Sequence, residues 1–284
     1  MRRVIASAAV GLAALALATG SRAAEAPSAT VAGLKPHRAV YELTLASRTD
    51  KSEIGNVTGR LVYEFVGSAC DGFTTQFRLV TRLENTDGRA RISDMRTSSF
   101  EDAAGKTFDF LSQNFLEQQM TDESKGTAQR SDAGIVAKVT RPVDRTVNLP
   151  PDANFPTQHM TRLIDAAKEG RSVAQVKLYD GSEGGERLYD TTAIIGKVVE
   201  GADDVGDEKA ADKPGLAAAR RWPMTVSYFD PAKRERGEDT PEYQLSFLLY
   251  ENGISRRLKL DYGDFALSGK MSELDLIDQP SSCH

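Results

Sequence analysis

The chain has 284 residues, with 36 Lys+Arg against 41 Asp+Glu, three His, two Cys and a formal net charge of −5. This balance excludes the clustered basic excess of a nucleic-acid binder. The scarce His and Cys exclude a common structural zinc set unless carboxylates fill it, since Cys70 and Cys283 are too far apart in sequence to make a Cys-x-x-Cys pair.

Arg2 and Arg3 precede an apolar run from Val4 to Ala18 and then small residues, the order of a secretory signal peptide. A cut after Ala23 places Ser21 and Ala23 at the small-residue positions. The apolar run of about 15 residues is short of the roughly 20 that span a bilayer, so the expected product is an exported, soluble protein rather than an anchored one. Without residues 1–23 the chain holds 33 basic against 41 acidic residues, a net of −8. Residues 24–284 are expected to form one large domain, because β-rich units often pass about 200 residues. In an oxidising compartment an even cysteine count makes a Cys70–Cys283 bridge the expected outcome, beside the alternatives of two free thiols or a redox pair.

The exported part alternates with the period of half-buried strands. Ala39, Tyr41, Leu43 and Leu45 oppose Arg38, Glu42 and Thr44; Leu61, Tyr63 and Phe65 oppose Arg60 and Glu64. After the turn at Cys70-Asp71-Gly72, Phe73, Phe77, Leu79 and Leu83 oppose Gln76, Arg78, Arg82 and Glu84. Asp87-Gly88 and the segment around Gly105 are turns, and further strands are expected over 92–101, 107–119, 124–130, 134–141 and 144–149. From Asn154 to Gly170 the spacing changes: Phe155, Met160, Leu163, Ile164 and Ala167 recur as on one helix face, with Pro156 in the first turn and Gly170 at the C-terminal cap. Strands return over 172–179 and 187–200, joined by a turn at 180–186. The segment 201–215, dense in Asp, Glu and Lys, is expected to be a mobile acidic loop. Strands over 222–229, 242–251, 254–262 and 265–277 complete the series, with Asn252-Gly253 as a two-residue hairpin turn. One wet face means antiparallel sheet. The alternation also fits an outer-membrane barrel, but the helix inside the series and the missing aromatic girdles count against it.

Catalytic patterns are weak. Gly105-Lys106-Thr107 lacks the first glycine of a phosphate-binding loop, because position 100 is Phe, so no nucleotide is expected. Asp180 stands where a nucleophile elbow around Ser182 needs glycine. His159 on the helix is a possible general base, but a lone helical His more often packs. The acids at 180–186 lack EF-hand spacing for calcium. No catalytic residue, metal or cofactor is assigned. Binding candidates are Phe155, His159 and Met160 on the helix, and Asp180, Gly181, Ser182 and Gly184 in the turn.

Cys70-Asp71-Gly72, Cys283, Phe155-Pro156-Thr157-Gln158-His159-Met160, Tyr179-Asp180-Gly181-Ser182-Glu183-Gly184-Gly185 and Asp261-Tyr262-Gly263-Asp264-Phe265 together resemble the EipB family of periplasmic cell-envelope integrity proteins of alphaproteobacteria. The resemblance spans the exported chain, and its Cys70 and Cys283 match that family's single disulfide. It implies a mainly β fold, an antiparallel β-spiral or broken β-barrel with one or two helices, and no known enzymatic activity. It also implies a part in envelope maintenance and a periplasmic tetratricopeptide-repeat protein as partner. The rival reading is a carrier or sensor that holds a lipid or lipoprotein acyl chain inside the curved sheet.

Overall fold

A computed structural model describes residues 29–278 apart from positions 203, 235 and 238; the expected signal segment, Cys283 and His284 lie outside the described residues. After a short helix α1 (Ala29–Gly33), eight strands follow in sequence: β1 (His37–Arg48), β2 (Ile54–Ser68), β3 (Gly72–Asn85), β4 (Ala90–Glu101), β5 (Thr107–Leu116), β6 (Gln119–Ser131), β7 (Gly134–Arg141) and β8 (Arg145–Leu149). Then come the two-residue β9 (Ala153–Asn154), helix α2 (Pro156–Lys168), β10 (Val173–Leu178) and β11 (Tyr189–Ile195). The helical turn α3 (Pro214–Ala217), β12 (Arg221–Phe229), α4 (Pro231–Arg234), β13 (Tyr243–Tyr250), β14 (Ser255–Asp261) and β15 (Phe265–Leu276) finish the chain.

All these strands form one sheet in the order β8-β7-β6-β5-β4-β3-β2-β1-β15-β14-β13-β12-β11-β10-β9. The chain therefore starts in the middle of the sheet, runs out to the edge at β8, crosses to the opposite edge at β9 and returns until β15 pairs with β1. Only Pro150, Pro151 and Asp152 separate the edge strands β8 and β9. Four residue steps reach at most about 14 Å, so the sheet must curl until its two ends nearly meet. That is the expected broken barrel, derived from connectivity alone.

Alternation drives the curl: on β1, Tyr41 and Leu43 are buried while Glu42 and Thr44 are exposed. Every neighbouring pair is antiparallel except β9 and β10, which α2 joins as a crossover. Gly253, in the turn between β13 and β14, has φ +87° and lies so close to Leu34 and Met160 that a Cβ there would sit 3.0 Å from one and 3.3 Å from the other.

The helix begins two residues later and ends two residues earlier than its spacing indicates. Gly170 forms the expected C-terminal cap: its N–H, at φ +74°, bonds the Ala167 carbonyl, and the Arg171 N–H bonds Ala166. Its inner face, Leu163, Ile164, Ala166 and Ala167, packs against Phe65, Phe73, Tyr189 and Trp222, so α2 fills this part of the barrel. A second core gathers Tyr41, Leu43, Tyr250, Ile254 and Met271, and a third gathers Phe108, Phe110, Phe155 and Tyr179.

Three strand expectations and one loop expectation need correction. The 107–119 strand is interrupted at Glu117 and Gln118, which adopt φ of +50° and +66° in a hairpin turn, so β6 starts at Gln119 rather than 124. That turn lacks the usual Asn-Gly signal; the Glu117 carboxylate holds it by accepting the Ile92 N–H. The 187–200 strand stops at Ile195, where the Gly196 N–H bonds Pro223. The segment expected to be a mobile acidic loop is docked along much of its length. Ala211 is buried in the second core, as is Leu216 just past the segment, and Glu208 is 2% exposed.

Glu208 explains the docking. Its Oε2 accepts Nη1 of Arg256, itself 0% exposed, at 2.8 Å, and its Oε1 accepts the backbone N–H groups of Met271 (2.9 Å) and Arg257 (3.1 Å). Arg257 has φ +55° at the slip in the β13–β14 register, which removes its N–H from the ladder. The buried carboxylate thus satisfies donors the sheet cannot. Cys70 lies in the β2–β3 turn and is not a free thiol.

Candidate functional site

The seam where the sheet ends meet is held by two charged residues from the β1–β8 half. Phe155 precedes α2 and has no oxygen with which to cap it. Glu101, at the end of β4 and 4% exposed, supplies the cap: Oε2 accepts the Thr157 N–H at 2.8 Å and Oε1 the Gln158 N–H at 3.1 Å. Burial pushes its carboxyl up to about 7 against the pull of those Thr157 and Gln158 bonds. Gln158 closes half of a capping box by accepting the Phe155 N–H at 3.2 Å.

Arg130 on β6 performs the complementary task. Its guanidinium donates to the carbonyls of Gly105 (3.1 Å), Pro151 (2.9 Å) and Ala153 (2.8 Å) and to Gln158 Oε1 (2.8 Å), and it lies over the Phe155 ring. One side chain thus ties the β4–β5 turn, the β8–β9 crossing and the start of α2 together. Outside this lock the seam opens as a cleft of about 650 Å³ along β9, β10 and α2.

The helix candidates serve the interior. Phe155 is fully buried and stacks on Phe108 with centroids 4.9 Å apart. Met160 packs beside Gly253. His159 Nε2 lies 2.8 Å from Thr191 Oγ1, and burial lowers its pKa to about 4, so the ring is neutral. Thr191, not a serine or aspartate, is its partner.

The turn candidates pack against the third core. Gly181, at φ +71°, lies flat on Phe110, where a Cβ would fall 2.3 Å from ring atoms, and its carbonyl accepts the Ser124 hydroxyl at 2.6 Å. The Tyr179 hydroxyl donates to the Gly185 carbonyl at 2.7 Å, and Asp180 Oδ1 accepts the Ser182 N–H at 3.0 Å. Gly184 supplies a positive φ of +72°. Burial raises the Asp180 carboxyl; it neighbours Tyr189, Tyr228 and Tyr243, the last two stacked at 4.3 Å. Glu183 accepts the Tyr189 hydroxyl at 2.8 Å and pairs with Arg187. Among the described residues no group of three or more His, Cys, Asp or Glu is placed to hold a metal ion.

The two motifs meet through aromatic rings: Phe108 and Phe110 touch Tyr179, Phe108 touches Phe155, and His159 lies 6.5 Å from Tyr228. They form an anchored interior rather than a nucleophile–base pair. The region around Gly105 is a turn in which Asp102 Oδ1 accepts the N–H groups of Lys106 and Thr107.

Sequence reasoning missed Glu101, Arg130, Glu208 and Arg256. Only one signal was present: a strong helix pattern starting at Phe155-Pro156 with no capping side chain of its own implies that another element must supply the cap.

The sequence profile described as EipB-like matches residues 28–278. The chain is 41% identical over 256 residues to the cell envelope integrity protein EipB of Brucella abortus (strain 2308), covering 90% of this chain and 89% of that protein. It also superposes on the crystal structure of a β-barrel-like protein of a domain of unknown function from Brucella abortus, with TM-score 0.78 and 40% identity, covering 86% of this chain and 99% of the other. No helix among the described residues is long and apolar enough to cross a membrane.

Proposed function

The chain belongs to the EipB-like family, and from that membership we propose that it acts in the periplasm as a non-enzymatic factor that supports cell-envelope integrity by binding protein partners. The observation that carries this reading is its 41% identity, over 90% of its length, to a protein named for cell-envelope integrity. The interior supports binding at the surface over carriage of an acyl chain, because α2 fills the curve with Leu163, Ile164 and Ala167. A tetratricopeptide-repeat protein of the periplasm is the first partner to test.

The proposal includes the Cys70–Cys283 bridge. His37 pairs with Leu276 on one side and with Phe65 on the other, so β15 leaves the sheet two strands from the turn that holds Cys70. A bridge there joins the chain's end to an early turn, and non-reducing electrophoresis should show faster migration than reduced samples.

The test is genetic. Deleting the gene should sensitise cells to detergent, and a plasmid copy should restore resistance only with residues 1–23 present. A deletion strain as resistant as its parent overturns the reading. The same purified protein should yield no stoichiometric lipid on organic extraction.

A further inference from the structure

The strand β9 covers very little of its neighbour. It pairs with Lys177 and Leu178 only, because the chain reaches it across Pro150 and Pro151, whose rings remove two ladder donors and turn the backbone away. Val173–Val176 of β10 pair with β11 on one side, and no described strand lies on the other. Gln175 and Val176 of this open edge line the seam cleft, which is large enough for several residues.

The cleft is also cationic, on a protein that is acidic overall. Arg130, Arg162, Lys177 and Arg234 line it against Asp152 and Asp190. Lys177 is matched by Asp152 at 2.8 Å, and Arg234 by Asp190 at 4.0 Å and Asp239 at 3.0 Å. Arg130 and Arg162 have no carboxylate at ion-pair distance among the described residues. Arg130 is committed to carbonyls, and Arg162 projects exposed from α2. Burial lowers the Arg130 pKa, the neighbouring Glu101 carboxylate raises it, and Arg162 lowers it as the smallest of the three influences. Like charges held together beside an open strand edge favour a ligand that brings negative charge and backbone hydrogen bonds together.

We propose that the seam cleft binds an acidic segment of a partner protein as an added strand on the Val173–Val176 edge of β10, with Arg162 pairing its carboxylates. The strand edge holds the peptide backbone, and the cationic rim selects Asp- and Glu-rich sequences over others. Beyond the cleft, Val173 and Ile194, 48% and 54% exposed and directly paired across β10 and β11, offer an apolar contact to alternate side chains. This inference rests on the partner-binding reading and deepens it.

The probe is a fluorescein-labelled hexapeptide of alternating Glu and Val, titrated into the exported chain by fluorescence anisotropy. Three comparisons accompany it: the Lys–Val counterpart, a peptide of equal charge with proline in place of the central valines, and the Arg162→Glu protein. Saturable binding is expected, more than tenfold weaker for the Lys–Val peptide, the proline peptide and Arg162→Glu, with the outward-facing amides of Val173 and Gln175 slowed in hydrogen exchange by the bound peptide. Equal binding of the proline peptide, an unaffected Arg162→Glu protein, or no binding of the Glu–Val peptide overturns the proposal. Arg162 is exposed, so the variant should keep the wild-type melting temperature. In the deletion strain, full rescue by Arg162→Glu overturns the cleft while leaving partner binding standing. Failure of the wild-type copy to rescue overturns the broader reading by itself.

Discussion

Two buried carboxylates close this fold in the same chemical way and with opposite electrostatics. Glu208 caps stray N–H groups beside β14 and β15 while paired directly with Arg256. Glu101 caps α2 across the seam, with its half-buried neighbour Arg130 spent on carbonyl oxygens instead. The first region is a neutral pair sunk in one wall of the barrel. The second divides its charges so that each serves the backbone at the place where the sheet's ends meet. A direct pair fixes an insertion, whereas divided charges fasten two edges that no ladder joins, and they leave the seam responsive to pH.

The contrast can be broken first at the pair. Arg256→Met strands a buried carboxylate and should cost about 3–5 kcal/mol, read by urea denaturation. Arg256→Met with Glu208→Gln should recover part of that loss, and a double variant no more stable than the single one would refute direct pairing.

The seam should show its difference in pH. Glu101 has a folded pKa of about 7 against 4.5 unfolded, so the folded state holds the extra proton between them. Its contribution is full below pH 4.5 and is lost as pH rises through 7, with a slope of about −1.4 kcal/mol per unit. His159, lowered from 6.5 to about 4, acts in reverse: the unfolded state takes the proton first, so its contribution is present above 6.5 and lost as pH falls through 4. The two nearly cancel between pH 4.5 and 6.5. Relative to wild type, Glu101→Gln should therefore gain stability with rising pH in that window, by up to about 3 kcal/mol, and His159→Asn should lose it. Parallel pH profiles for wild type and Glu101→Gln would contradict the seam account.

Arg130→Ala removes four bonds from the seam and should cost about 2–3 kcal/mol. Its mark is regional, with faster exchange over residues 150–158 and unchanged protection in β13. Smallest is Asp152→Asn, which breaks an exposed pair with Lys177 and should change stability by less than about 0.5 kcal/mol.

Local chemistry made much of the fold legible. Tyr41 and Leu43 against Glu42 and Thr44 announce a strand, Asn252-Gly253 a hairpin, and Pro156 with Gly170 the limits of the helix, because each signal lies within a few residues of the structure it specifies. The ties between distant segments were hidden for the opposite reason. Glu101 reads as the polar end of a strand, and nothing nearby tells that a helix some 55 residues on borrows its carboxylate. Glu208 sits among Asp and Lys residues typical of a solvated loop, and only the slipped register at Arg257 creates the donors it serves. The turn at Asp180-Gly181-Ser182 was visible as a turn, but its packing on Phe110 depends on strand order.

The central claim is that α2 fills the barrel, leaving the protein to work through its surface and seam. Native mass spectrometry of the protein released from the periplasm tests it most directly. The account predicts the mass of residues 24–284 alone, less two hydrogens for one disulfide. A species heavier by one acyl lipid per chain would contradict it.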